Sequence, residues 1–160
     1  MNLKAGDKMG YIEDLRKMIG HKCVNLVGSV VIIKNEKDEI LLQKRTFPTD
    51  TWSFPGGLSE LGENPLDTAV REVKEETALE IRNLEFFGFY SSDNVCKGET
   101  GDEWYVYIAA YVCSDFSGEV KINDGESAAL EWIKLSDLPK SFGKSQKQSL
   151  DDYVQSQNRA

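Results

Sequence analysis

The chain has 160 residues, a net charge of −8 at pH 7 and 40% hydrophobic residues, which is ordinary for one soluble globular domain. The acidic excess argues against broad binding to nucleic acid or to an anionic membrane. The sequence shows neither an apolar signal region at its N-terminus nor a run of membrane-spanning length, so we expect a protein that is neither secreted nor membrane-embedded.

The N-terminal region predicts one short helix. We expect residues 1–8 to be disordered and residues 9–20 to form a helix that ends at a glycine. Tyr11, Leu15 and Met18 share one face of that helix, so we expect them to pack against the domain or a partner subunit.

Two strands and a loop follow. The β-rich segments 24–33 and 39–45 predict strands of one hairpin, joined by a turn at 35–38. Residues 47–53 predict a loop that leads into the turn Phe54-Pro55-Gly56-Gly57.

A second helix begins after that turn, with Asn64 as its N-cap and Pro65 in the first helical position. The apolar spacing predicts a buried face made of Leu66, Ala69, Val70, Val73 and Thr77.

The rest of the chain alternates strands with loops. We expect strands at 84–90, 104–113 and 130–135, and a C-terminal helix at 145–156. The polar loop 91–102 is long enough to suggest a role in substrate binding.

Cysteine usage indicates a reducing compartment. The three cysteines, Cys23, Cys96 and Cys113, are widely spaced, and His21 is the only histidine, so no zinc-binding spacing exists. We therefore expect free thiols and a cytoplasmic location.

Three carboxylates dominate the second helix. Glu72, Glu75 and Glu76 are spaced i, i+3, i+4, which places them on one helical face. Like charges this close destabilise a helix by roughly 0.2–0.5 kcal/mol per pair. A hard divalent cation would offset that repulsion, because such ions prefer carboxylate oxygens. The alternative, a solvated acidic face, is typical of Glu-Glu pairs in isolation.

The spacing around these carboxylates is that of a known motif. Gly57 is followed at fixed distances by Glu63, Arg71-Glu72, Glu75-Glu76 and an apolar Leu79. This segment resembles the Nudix box, which makes a merely solvated helix face much less favoured. Ala78 departs from the pattern, since the family usually has glycine there. Alanine resists the left-handed conformation by roughly 1 kcal/mol, so the geometry of the helix end is in question.

The resemblance implies a fold and a reaction. The expected fold is α/β, a single Nudix domain over residues 1–160 built as an α/β/α sandwich with a mixed β-sheet. The implied reaction is metal-dependent hydrolysis of a phosphoanhydride bond in a nucleoside diphosphate linked to another group, such as an NTP, a modified NTP or a nucleotide sugar. Mg²⁺ or Mn²⁺ would neutralise the polyanionic substrate and lower the pKa of the attacking water.

The resemblance also implies residue roles. Glu72, Glu75 and Glu76 match the metal-binding carboxylates, and the carbonyl of Gly57 is a further expected ligand. Glu63 and Arg71 match a supporting pair in which the guanidinium orients the catalytic carboxylates.

One more carboxylate is expected from outside the box. Glu126, six residues before Trp132, is the candidate for an extra metal ligand or the general base. The role of base stays divided between Glu72 and Glu126. A solvent-facing turn residue is the alternative for Glu126.

Substrate contacts are less sharply defined. Arg45 ends the second predicted strand and is a candidate to bind a phosphate, since its guanidinium suits that geometry. Trp52 lies next to the glycine turn and is a candidate to stack on a base. A surface arginine without a ligand is the alternative for Arg45.

Two other functional classes stay open. The first is a Nudix-fold domain that has lost catalysis and binds nucleotides or regulates, and the intact carboxylates count against it. The second is a metal-dependent isomerase of prenyl diphosphates, for which no cysteine stands at a recognisable position. The expected partner is a small-molecule nucleotide, not nucleic acid or membrane, and a homodimer is left open.

Overall fold

The computed structural model describes residues 10–160, within which the chain forms three α-helices and ten strands. In chain order these are α1 (Tyr11–Ile19), β1 (Val24–Ile33), β2 (Glu39–Arg45), β3 (Trp52–Ser53), β4 (Gly56–Leu58), α2 (Pro65–Thr77), β5 (Glu80–Arg82), β6 (Glu85–Ser91), β7 (Cys96–Lys97), β8 (Glu103–Cys113), β9 (Asp115–Ser117), β10 (Ser127–Lys134) and α3 (Lys147–Asn158).

The central sheet is mixed. Strand β1 pairs in parallel with β8 along its whole length, from Val24 opposite Trp104 to Ile33 opposite Cys113. Strands β4 and β6 flank this pair in antiparallel orientation, and β7 extends the sheet along β8. A second sheet has the order β10-β2-β3, and β5 pairs with β9. The predicted hairpin of β1 and β2 is wrong, because these strands belong to different sheets and are linked by an isolated bridge between Lys34 and Ile40.

Helices cover both faces of the strands. Alternate residues of β1 point to opposite faces. Val31 therefore packs in one buried cluster with Val73 of α2, and Val30 packs in the other with Tyr153 of α3. The expected α/β/α sandwich with a mixed sheet is confirmed.

Both ends of α2 have the predicted chemistry. The side chain of Asn64 accepts a 2.9 Å hydrogen bond from the backbone N–H of Asp67, and Pro65 occupies the first helical position. Ala78 ends the helix with φ 65°, and its N–H donates to the carbonyl of Lys74 at 3.1 Å. Alanine thus adopts the left-handed conformation that the family's glycine would adopt without steric cost.

The buried face of α2 differs in part from the prediction. Leu66 and Val70, expected inside, are 44% and 39% exposed. Thr68 and Glu76 are buried instead. The helix packs against β4 as well as β1, so the buried arc is rotated toward the side that carries Thr68 and Glu76.

Smaller elements and ends also depart from the prediction. Strands β3 and β7 lie inside segments that were predicted to be loops, and Met18 of α1 is 77% exposed instead of packed. The expectation for residues 1–8, like the start of the first helix at Met9, falls outside the described residues. Within residues 10–160, no helix combines the length and the apolar character needed to span a bilayer.

Candidate active site

Arg71 is the centre of the polar network on α2. Its Nε and one terminal nitrogen bind both oxygens of Glu63 at 2.7 and 2.9 Å. The same side chain donates to Glu72 at 2.9 Å, to Glu75 at 3.2 Å and to the carbonyl of Leu58 at 3.1 Å. One guanidinium thus fixes two carboxylates of the helix and the loop before it.

The electrostatic effect of this network is large. The hydrogen bond that Arg71 donates lowers the pKa of Glu63 to about 2. The Glu63 carboxylate in turn raises the pKa of Arg71 above its usual range. Glu63 also accepts hydrogen bonds from the N–H of Glu60 at 2.9 Å and the hydroxyl of Thr68 at 2.8 Å. The predicted supporting pair therefore exists as a bidentate ion pair.

Glu72 lies directly over the glycine turn. A Cβ atom built on Gly57 would overlap the carboxyl group of Glu72, so a larger residue at position 57 would displace the end of that side chain. Burial raises the pKa of Glu72, the guanidinium of Arg71 opposes the shift, and the charges of Glu75 and Glu126 add to it.

Glu76 is the most buried of the three helix carboxylates. Only 5% of the residue is exposed, and its Oε2 accepts a 2.8 Å hydrogen bond from the N–H of Gly56. Burial raises its pKa to about 8, the Gly56 N–H opposes that shift, and the nearby Glu72 and Asp124 reinforce it. An ionised carboxylate in this position needs a cation beside it.

The loop before β10 is attached to the end of β2. The carbonyl of Glu126 accepts hydrogen bonds from both the N–H and the hydroxyl of Thr46, each at 3.0 Å. The hydroxyl of Ser127 donates to the side chain of Gln43 at 3.0 Å. The carboxylate of Asp124 accepts from the N–H groups of Glu126 and Ser127, both at 3.2 Å.

These contacts bring a loop to the helix. One carboxylate oxygen from each of Glu76, Asp124 and Glu126 lies within 4.8 Å of the others. Three converging acidic side chains, one of them buried, are a donor set that suits a hard divalent cation. The predicted meeting of Glu126 with the box helix is therefore present in the structure.

Asp124 was missed by the sequence interpretation. It lies in the Asn-Asp-Gly-Glu turn, two residues before Glu126, where an aspartate is usually a turn former. Asp124 indeed caps the turn with its carboxylate, and that same group also faces Glu76. The signal in the sequence was a second acidic residue, Asp124, close to the predicted ligand Glu126.

The three helix carboxylates have different surroundings. Glu75 is 56% exposed along its side chain and is bound by Arg71, whereas Glu76 is buried and Glu72 lies between them in exposure. Among the described residues, one set of three acidic side chains lies close enough together to hold a metal ion. That set includes Glu76 but neither Glu72 nor Glu75.

The two predicted substrate residues lie in different places. Arg45 is paired with Ser127 across β2 and β10, next to Glu126, and its Nε donates to the carbonyl of Phe47 at 3.1 Å. Trp52 is paired with Lys44 and packs against the cluster on the α3 side. Gln43 contacts Ser127, beside the loop that carries the carboxylates. The next residue, Lys44, points to the opposite face of the strand, and its partner Trp52 lies on that face with it. Trp52 therefore lies across the sheet from the carboxylates.

Comparison with known proteins agrees with this architecture. A sequence model of the NUDIX domain matches residues 25–153. The chain is 29% identical over 126 residues to a Bacillus subtilis protein named as a candidate 8-oxo-dGTP diphosphatase, covering 79% of this chain and 78% of that one. It is 31% identical over 112 residues to the NAD-capped RNA hydrolase NudC of Pseudomonas putida, covering 69% of this chain and 37% of that protein. The crystal structure of a MutT NUDIX hydrolase from Burkholderia pseudomallei has a TM-score of 0.67 at 25% identity, covering 79% of this chain and 96% of that one.

The fold and the carboxylate helix together define a Nudix domain. With the domain match extending over most of its length, the chain belongs to the Nudix family. Several of its relatives are considerably longer: the chain spans less than two fifths of three curated proteins that it matches.

Proposed function

We propose that the chain is a metal-dependent hydrolase that cleaves a phosphoanhydride bond in a nucleoside diphosphate linked to another group. The observation that carries the proposal is the convergence of Glu76, Asp124 and Glu126 within 4.8 Å beside a helix that also presents Glu72. This donor set consists only of carboxylates, and hard divalent ions prefer oxygen ligands. We therefore assign Mg²⁺ or Mn²⁺ as the cofactor.

Each predicted metal residue keeps a role in this proposal. Glu76 and Glu126 hold the ion together with Asp124, while Glu72, Glu75 and the carbonyl of Gly57 complete the binding region. When bound, the cation would screen the negative charge of the diphosphate and favour ionisation of the attacking water.

The remaining steps belong to the protein's own side chains. Arg71 holds Glu72 at 2.9 Å and so limits the positions that its carboxylate can adopt. Either Glu72 or Glu126 accepts the proton of the attacking water, and the pH–rate profiles of Glu72→Gln and Glu126→Gln would distinguish them. Arg45, which lies next to this region, is assigned to a substrate phosphate.

The substrate class is a small nucleotide. The relatives named as an 8-oxo-dGTP diphosphatase and an NAD-capped RNA hydrolase both point to nucleoside diphosphate derivatives. The net charge of −8 disfavours polynucleotide binding, so an NTP, a modified NTP or a nucleotide sugar is the preferred substrate. The position of Trp52 gives no support to a stacking role near the carboxylates.

The cellular compartment is part of the same proposal. All three cysteines are free thiols, and Cys113 is buried. Free thiols are typical of reducing compartments, which supports a cytoplasmic location.

The test is a hydrolysis screen in which products are separated by anion-exchange chromatography, because cleavage of these compounds gives nucleoside monophosphates, sugar phosphates or pyrophosphate instead of free phosphate. Nucleoside triphosphates, 8-oxo-dGTP, nucleotide sugars, NAD and ADP-ribose would each be incubated with the protein in Mg²⁺, in Mn²⁺ and in excess EDTA. We expect turnover of at least one compound with either metal and none with EDTA. Turnover that persists in EDTA would contradict the metal mechanism. If no compound turned over while nucleotides still bound, the chain would be a Nudix-fold binding or regulatory domain.

A further inference from the structure

Among the described residues 10–160, an apolar face of the central sheet stays exposed beside α2. Strand β1 contributes Val27, β6 contributes Phe86 and Phe89, and β8 contributes Tyr105 and Tyr107, and we call these five residues the aromatic face. Their exposed fractions lie between 36% and 63%. Val27 and Tyr107 are direct partners across β1 and β8, so they project from the same side of the sheet.

The aromatic face is an ordered surface. The rings of Phe89 and Tyr107 stack with centroids 6.2 Å apart and planes 14° from parallel. Phe86 packs edge-on against Tyr111 at 5.9 Å, and Tyr111 belongs to the buried cluster beneath α2. The aromatic face therefore continues the hydrophobic core beyond the region that α2 covers.

Helix α2 packs on the same side of the sheet as the aromatic face, because Val73 of α2 shares a buried cluster with Tyr111 of β8. Leu66 and Val70 are the exposed apolar residues of α2. At 100° per residue, Val70 lies on the opposite flank of the helix from Glu72. The acidic site and the aromatic face are thus on different sides of α2, and a partner on one leaves the other accessible.

The exposed apolar area of the aromatic face and α2 is large enough to form the buried centre of a stable interface. A fully buried aromatic side chain contributes about 150–250 Å², so these seven partly exposed residues together present on the order of 600 Å². Monomers seldom expose a contiguous apolar patch larger than about 300–600 Å². A standard interface buries about 800 Å² per partner, which this patch and a polar rim would supply.

The lack of charge on the aromatic face indicates which kind of partner it would bind. The five residues of the aromatic face carry no charge at neutral pH, although 29% of the chain is charged. The charged residues in line with them, Glu103 of β8 and its partner Lys97 of β7, form an ion pair at the end of the face. Without basic residues the face lacks the attraction that nucleic acid or an anionic membrane requires. Two copies of a chain with net charge −8 repel each other, so they associate best through an uncharged surface.

The geometry of β6 favours packing of faces over pairing of edges. Strand β6 is the last strand of the path β4-β1-β8-β6, but its register shifts between Phe86 and Gly88. A bulge of this kind bends an edge strand and disfavours pairing with another chain. Phe86 and Phe89 nevertheless project from the face of the sheet, where a bulge does not prevent contact.

We propose that the aromatic face is the interface of a two-fold symmetric homodimer, in which the sheets of two copies pack face to face. In such an interface the same patch serves both subunits, so each residue near the axis meets itself or a close neighbour. The uncharged, aromatic composition fits the buried centre of such an interface.

The test is the molecular mass in solution as a function of concentration. Wild-type protein, Phe89→Lys and Met18→Lys would be compared by sedimentation equilibrium from about 1 µM to about 100 µM, a range that covers micromolar dissociation constants. Met18 is the matched control, because it is 77% exposed on α1 and its substitution changes the charge equally. Thermal unfolding would establish that each variant is folded.

We expect wild type and Met18→Lys to reach twice the monomer mass of 18.0 kDa. Phe89→Lys places two like charges at the symmetric interface and should raise the dissociation constant at least about tenfold. The milder Phe86→Ser provides a second measurement if Phe89→Lys does not fold.

Two results would overturn the proposal. One is a wild-type protein that stays monomeric at every concentration. If that monomer floats with phosphatidylcholine vesicles, the aromatic face is a lipid-docking surface instead. The other is a dimer that Phe89→Lys and Phe86→Ser leave as tight as the control, which would place the interface elsewhere. Hydrolysis is measured separately and bears only on the proposed function.

Discussion

The backbone N–H of Gly56 donates a 2.8 Å hydrogen bond to Oε2 of Glu76, which lies 20 residues further along the chain. This bond joins the glycine turn to the C-terminal end of α2, and it holds the most buried box carboxylate toward the loop that carries Asp124 and Glu126. Glycine is needed at position 56 because φ is 151° and a Cβ there would overlap the backbone of β1.

Removing the charge of Glu76 should abolish most activity. We expect Glu76→Gln to lower kcat at least about a hundredfold, a loss of roughly 2.7 kcal/mol of transition-state stabilisation. The amide keeps the shape of the side chain but is a much weaker metal ligand. Steady-state kinetics with saturating Mg²⁺ is the measurement, and Glu119→Gln, at an exposed position, is the control. A near-normal kcat would show that Glu76 does not hold a catalytic metal ion.

The same substitution should change the pH dependence of stability. The pKa of Glu76 is raised to about 8 in the folded protein, against about 4.3 for an unfolded chain. As pH rises between these values, the unfolded state releases the proton more readily, so stability falls.

Glu76→Gln removes that loss. Measured in EDTA, its Tm should match wild type near pH 4 and exceed it by at least about 3 °C at pH 8. Excess Mg²⁺ should restore the Tm of the wild-type protein at pH 8. Parallel Tm curves for the two proteins across this range would contradict the prediction.

Glu63 should affect the pH dependence of stability in the opposite direction from Glu76, stabilising the protein at higher pH. Its pKa is lowered to about 2 by the hydrogen bonds from Arg71, so its stabilisation is complete above about pH 4.3 and is lost as pH falls toward 2. Glu63→Gln should be less stable than wild type by about 1–3 kcal/mol at pH 7 and should lose less on acidification. Urea unfolding between pH 7 and pH 2.5 measures both, with the exposed Glu36→Gln as control. Equal acid sensitivity of wild type and Glu63→Gln would contradict the ion-pair account.

Glycine at position 78 should stabilise the protein. Ala78 has φ 65°, where a Cβ costs about 1–2 kcal/mol and glycine costs little. We expect Ala78→Gly to raise Tm by a few degrees while kcat stays unchanged, because residue 78 is not a predicted ligand. Differential scanning calorimetry is the measurement. A clear fall in Tm would mean that the unfolded-state entropy of glycine outweighs the relief of strain.

Asp124 should weaken metal binding when its charge is removed. We expect Asp124→Asn to require at least about tenfold more Mg²⁺ for half-maximal activity, since it loses one charged ligand. Asparagine preserves the acceptor oxygen for the turn, so the fold should be unchanged. A Mg²⁺ titration of activity makes the comparison, with the exposed Asp93→Asn as control. An unchanged Mg²⁺ requirement would leave Asp124 with a purely structural role.

The local elements and the main motif could be predicted from the amino-acid pattern alone. Asn64 and Pro65 fixed the start of α2, because capping and proline geometry act within one helical turn. The resemblance to the Nudix box implied the pairing of Glu63 with Arg71, which lie close together because α2 and the loop before it are adjacent in the chain. The long strands β1, β2 and β8 were predictable from their β-rich composition.

The contacts between distant segments became visible in the folded chain. The rotation of α2 left Leu66 and Val70 exposed and buried Glu76, because contact with β4 outweighs the helix's own apolar pattern. Asp124 joined the acidic site through the pairing of β10 with β2, which brings residues about 80 positions apart together. Trp52 was placed away from that site by the alternation of β3. Sequence patterns describe neighbours along the chain, whereas these outcomes depend on packing between elements that are distant in sequence.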